Sequence, residues 1–239
     1  MASKITKEQQ FHSLLSQNLH ALIATKKKIN SQINVCLRKD DSKALRVYTN
    51  VYLLVYNAWT EASLVHLVHT PFGFNIDEKE KILKDRDVLN KWKKCVDTAF
   101  VKFRKGGADI PNKKKKIFKL LSSYLKDQAV VRNKIAHGQW EYPLQKNNLK
   151  HDEDAQVLIS LIDVIQIDTW FEVFKEIIGI VRALIDSKTH NNHKAHYNHY
   201  YQRLENIRTI IDDRKRFSIE EKAKNLKRKQ FKNCRFLEP

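Results

Sequence analysis

Apolar residues recur along this chain at helical spacing in six stretches. Phe11, Leu14, Leu15, Leu19, Leu22, Ile23, Ile29, Ile33 and Leu37 form one such series and predict a helix over 7–37. The polar turn Arg38-Lys39-Asp40-Asp41-Ser42-Lys43 follows, and Asp41 or Ser42 suits the cap of what comes next. From Ala44 to His69 the chain is apolar on most sides, which marks a central helix. Pro71 and Gly73 break it. A third helix is predicted over 78–104 through Ile82, Leu83, Val88, Leu89, Trp92, Val96, Phe100 and Phe103. Residues 105–112 read as a loop. A fourth helix runs from Lys113 to Gly138, with Ile117, Leu120, Leu121, Tyr124, Leu125, Val130, Val131 and Ile135 on its apolar face. After a loop at 139–152, a fifth covers Glu153 to Asp186. A polar hinge at 187–196 leads into a sixth near 195–213, and a charged tail closes the chain.

Five glycines and four prolines in 239 residues are too few for the turns of a sheet protein this size, so the fold class expected is all-α. The longest apolar run, Val157 to Ile185, is interrupted by Asp163, Asp168, Glu172, Lys175 and Glu176. That pattern describes a buried helix rather than a membrane span. Met1 to Leu15 has no apolar signal core. Cys36, Cys95 and Cys234 are widely spaced and odd in number, which fits a reducing compartment rather than a disulfide framework or a zinc site. A cytoplasmic location without a membrane partner is the expectation.

Charge changes the picture. A net +18 is costly through self-repulsion and points to an anionic partner. Nucleic acid comes first; an anionic membrane surface and a merely lysine-rich exterior are the alternatives.

The end of the fourth helix concentrates candidate chemistry. Arg132-Asn133-Lys134-Ile135-Ala136-His137 precedes Gly138, a residue suited to a helix C-cap. Cations in a last turn also complement the macrodipole, so a purely structural role exists for Arg132 and His137. Five residues at 100° each place these two about 140° apart on an ideal helix. A distorted last turn or a second copy of the chain would be needed to bring them together. The residue types suit RNA cleavage by its own 2′-hydroxyl. Histidine titrates near neutrality and handles protons. Arginine offers a planar fork to phosphate oxygens. Asparagine can orient either, and no metal or other cofactor is required.

This segment resembles the arginine–four residues–histidine motif of the HEPN superfamily, in the form with asparagine after arginine. The resemblance implies a HEPN-like helical bundle with long antiparallel helices and, here, an extra basic C-terminal segment. It covers about residues 40–190. The N-terminal helix at 1–38 would pack on that core, and 191–239 would form the basic extension. It further implies a metal-independent endoribonuclease of toxin, abortive-infection or antiviral type, in which a homodimer joins two motifs in one cleft. Arg132, Asn133 and His137 would be catalytic. RNA would be the substrate, and an antitoxin or regulatory protein a further partner. A non-catalytic HEPN-like dimer that binds RNA or a protein is the alternative.

Other segments are weaker signals. Asn57 and Glu61, one turn apart on the second helix, could support the cleft or form an ordinary polar face. Lys113, Lys114, Lys115 and Lys116 fall in the predicted first turn of the fourth helix, the wrong end for the macrodipole. With Lys134 they are candidate RNA contacts. His190, His193, His196 and His199 recur at intervals of three, a spacing that allows a shared metal but lacks nearby acids. RNA contact with Tyr197, Tyr200 and Tyr201 as stacking surfaces is open, as is a plain linker. Arg214 to Arg235 carries ten Lys/Arg against two Glu, with Phe217 and Phe231 interleaved and Phe236 just beyond, a basic amphipathic segment suited first to RNA, and otherwise to an acidic protein partner or a membrane surface.

Overall fold

Thr6 and Gln9 close a capping box that starts the first helix, α1 (Lys7–Lys39), and Asp40 ends it with a left-handed φ of 54°. Asp41 accepts from the Ala44 amide and so caps α2 (Ser42–Val68). The two run antiparallel: Asn30 meets Tyr52, and His12 meets His66. The computed structural model describes residues 6–101, 110–190, 193–214 and 217–235. Of 110, 187–190, 193–198 and 230–235 it describes the backbone alone. Among the described residues every regular element is a helix.

Two of the predicted helices are each divided. The third becomes α3 (Ile76–Leu83) and α4 (Val88–Val101), because Asp87 accepts from the Leu89 and Asn90 amides and starts a new helix. The fifth becomes α6 (Glu153–Leu161) and α7 (Val164–His190). Ile162 is extended there, and Asp163 accepts from the Gln166 amide at 2.7 Å. The fourth, α5 (Ile110–Ala136), is helical from Ile110, so Lys113–Lys116 lie a turn further in than expected. Residues 110–112 are helix rather than loop, and 102–109 lie outside the described residues. The sixth is α8 (His193–Arg214), and the basic tail is a helix, α9 (Ile219–Arg235).

The core forms around α2. Tyr52, Tyr56 and Trp59 pack on Phe171 and Phe174 of α7, and Trp92 of α4 meets Phe174 edge-on at 5.1 Å. The same cluster includes Ile33 and Leu37 of α1 and Leu204 and Ile207 of α8, so the terminal segments share the central core. Asp168, which interrupts the apolar run of α7, ties four helices together. It accepts from Tyr52 of α2 at 2.5 Å, Asn30 of α1 at 3.0 Å and Lys222 of α9 at 3.0 Å. The carboxylate is half-buried, with 31% of its side chain exposed, and each of its three donors comes from a different helix. No helix among the described residues is long and apolar enough to cross a membrane.

A pair of histidines joins the N-terminal half of α1 to the end of α2. The His12 and His66 rings lie 4.0 Å apart, and His66 Nε2 is 2.9 Å from Ser16 Oγ. Burial, then the nearby His12 and Arg182, push His66 down to about 4. Burial also lowers His12. The unfolded chain therefore binds more protons than the folded one below the ordinary histidine value of about 6.5. The contribution of this pair to stability is full above that pH and is lost as pH drops towards about 4. Between pH 6.5 and 5 the loss reaches about 2 kcal/mol. Urea unfolding across this window should show that slope, and His66→Gln should flatten it; an equal slope in the variant would assign it to other groups.

Candidate functional site

The motif lies where α5 leaves the core. Val131 and Ile135 are buried and fix the rotation of the helix, which turns Arg132, Asn133 and His137 outward. The helix stays regular to its end: the His137 amide donates to the Asn133 carbonyl at 3.1 Å. Gly138 follows with φ of 77°. Its amide donates to Ile135, and that of Gln139 to Lys134, which together make a Schellman cap. Trp140 adds a further lock by donating its indole N–H to the Ile135 carbonyl at 2.9 Å. The cap predicted from the sequence is present, and the Trp140 contact is an addition that no local sequence signal marks.

Arg132 extends toward α2, with its guanidinium 3.8 Å from Glu61. Its other terminal nitrogen donates to Asn133 Oδ1 at 3.2 Å. Asn133 and His137 are four residues apart and share a helix face. The row therefore reads Glu61, Arg132, Asn133, then His137 one turn on. Both ends of the Glu61–Arg132 pair are substantially exposed, so it contributes at most about 1 kcal/mol and leaves the arginine exchangeable with a phosphate. The His137 ring is exposed and has no polar protein partner among the described residues. Asn57 is buried, and its side-chain amide donates to the Leu53 carbonyl of its own helix, a structural bond.

Lys134 is committed elsewhere. It donates to the Leu144 carbonyl and lies 2.8 Å from Asp152, with only 15% of its side chain exposed. This hydrogen-bonded lysine holds the Asp152 carboxyl below the usual carboxylate range. Asp152 in turn caps α6 through the Ala155 amide. Lys134 thus ties down the loop after the motif instead of facing a ligand.

The lysine run is also not part of this site within one chain. Lys116 and Arg132 are sixteen residues apart on one helix, about 24 Å. Lys114 pairs with Asp97, and Lys113 lies over the Tyr200 and Tyr201 rings at 5.4 and 5.3 Å. Lys115 and Lys116 are exposed. Tyr200 is buried and Tyr201 exposed, while the side chains of His190, His193, His196 and Tyr197 lie outside the described residues. Among the described residues no group of His, Cys, Asp and Glu could hold a metal. The tail helix α9 packs its Ile219, Ala223 and Leu226 against the core, and pairs Lys227 with Asp40 at 2.7 Å. Lys224, Arg228 and Lys229 remain exposed on it. The side chain of Phe231 and all of Phe236 lie outside the described residues.

No protein-family model, curated protein or solved structure matches the chain.

Proposed function

We propose that the chain is a metal-independent endoribonuclease of HEPN type that works as a twofold dimer, in the role of a toxin or antiviral effector. One observation carries the reading: Arg132, Asn133 and His137 all face outward on a helix end fixed by core packing and a Schellman cap, with Asn133 against the Arg132 guanidinium. Positioning of this kind is what a proton-transfer site needs before its chemistry is considered. Charge supports RNA as the substrate, with net +18 and exposed cations on α5 and α9.

In the proposed reaction, neutral His137 takes the proton from a ribose 2′-hydroxyl. The 2′-oxygen attacks the adjacent phosphorus as the bond to the 5′-oxygen breaks. The same imidazolium then returns the proton to that leaving oxygen. Arg132 takes the phosphate in place of Glu61 and stabilises the charge that develops on its oxygens. Asn133 holds the guanidinium through its side-chain oxygen. The products are a 2′,3′-cyclic phosphate and a 5′-hydroxyl.

The purified full-length chain should cleave single-stranded RNA in EDTA and leave those two ends. Failure to cleave, or activity that needs an added divalent ion, would overturn the mechanism. The rival reading is a non-catalytic dimer that binds RNA or a partner protein. It draws on the Glu61–Arg132 pair, which would hold the arginine equally well in a site that only binds. RNA retention without new ends in the same assay would select it.

A further inference from the structure

A second cleft, of about 490 Å³, lies between α1, α2, α7 and α8, and its chemistry is unrelated to the motif on α5. The volume falls in the range of small-molecule sites. Trp59 and Ile178 give it an apolar wall. Among the described residues that line it, Lys175, Arg182 and Arg203 stand against one acid, Asp186, so the balance of this lining is positive.

Arg203 is held in place by a feature of the sequence with no other evident purpose. Gly179 interrupts the apolar stretch Ile177-Ile178-Gly179-Ile180 in the middle of α7. A Cβ there would come within 2.2 Å of the Arg203 guanidinium carbon. The guanidinium therefore lies directly on the α7 backbone, in a notch that a larger residue would fill. Glu176 accepts from one of its terminal nitrogens at 3.1 Å and from Asn206 at 3.2 Å. The Arg203 Nε is buried and has no hydrogen-bond partner among the described residues.

His66 supplies an independent sign of a ligand. It lines the cleft, is 7% exposed, and its Nδ1 is buried with no partner among the described residues. The Ser16 hydroxyl donates its one hydrogen to the His12 carbonyl at 3.0 Å. The 2.9 Å contact with Ser16 Oγ occupies His66 Nε2, so Nδ1 is the ring nitrogen left over.

We propose that this cleft binds a small ring-bearing organic phosphate, with the phosphate on Arg182 and Arg203 and the ring against Trp59 and Ile178. Arginine forks match phosphate oxygens, and the apolar wall gives the ring a surface that inorganic phosphate cannot use. The site is independent of the ribonuclease reading and stands or falls separately from it.

Titration calorimetry of the full-length chain with 1-naphthyl phosphate, inorganic phosphate and 1-naphthol tests the assignment. The naphthyl phosphate should bind at least tenfold more tightly than either part alone. Arg182→Gln, at an exposed position, should weaken binding about tenfold with helical content unchanged. Gly179→Ala should do the same by displacing Arg203; if that variant does not fold, Arg182→Gln decides. No binding of naphthyl phosphate at millimolar concentration would overturn the proposal. So would equal binding of inorganic phosphate or naphthol, or unchanged affinity in Arg182→Gln.

Discussion

His137→Ala is expected to lower RNA cleavage by about 10²- to 10⁴-fold, the usual effect of removing a positioned proton-transfer group. The structure makes this a clean experiment. The ring is exposed and makes no polar contact with the protein among the described residues, so its removal takes no packing or hydrogen bond with it. The cap that follows is built from the backbones of Gly138 and Gln139 and the Trp140 indole, none of which the substitution touches. The one structural contribution left is a cation at a helix C-terminus, about 0.3–1 kcal/mol. A catalytic histidine therefore predicts a large fall in rate with an almost unchanged unfolding midpoint. A capping histidine predicts the reverse. Wild-type cleavage by the variant would remove His137 from the mechanism.

How much of this could be read from the sequence depends on the distance over which each feature is encoded. Gly138 was legible as a cap because the requirement for a left-handed residue is local. The breaks at Asp87 and Asp163 are equally local. Each aspartate stands three residues before an amide-bearing side chain, Asn90 or Gln166, in the manner of a helix start. Continuous apolar spacing across them masked that signal. The fates of the lysines were not legible. Lys134 is taken by Leu144 and Asp152, ten and eighteen residues on, and Lys113 lies over tyrosines of α8. Such partners follow from tertiary packing, and nothing in the sequence around either lysine announces them. The His12–His66 pair is illegible for the same reason, because it depends on the register between α1 and α2. Gly179 shows the intermediate case: a glycine inside an apolar helix signals a close approach but not what approaches.

An equal mixture of Arg132→Ala and His137→Ala chains, allowed to exchange subunits, should recover about a quarter of wild-type cleavage although each variant alone is nearly inactive. Helix geometry motivates this. Arg132 and His137 are about 140° apart on a regular helix, and α5 is regular through Ala136. A distorted last turn, one of the two ways to unite them, is therefore absent. The other way is a twofold axis, which sets Arg132 of one protomer beside His137 of the other. Val130, Tyr142 and Leu149 flank the motif in sequence and are exposed, giving that end of the molecule apolar surface to cover. In a mixed dimer one of the two composite pairs is intact and the other lacks both residues. Random exchange makes half of the dimers mixed, and half of their pairs work, hence the expected quarter. If Arg132 and His137 of the same chain act together, the mixed dimer contains no intact pair and the mixture stays as inactive as its parents. Differently tagged variants, co-purified to show that mixed dimers have formed, separate that outcome from a failure to exchange. A fully active monomer would exclude the composite cleft directly.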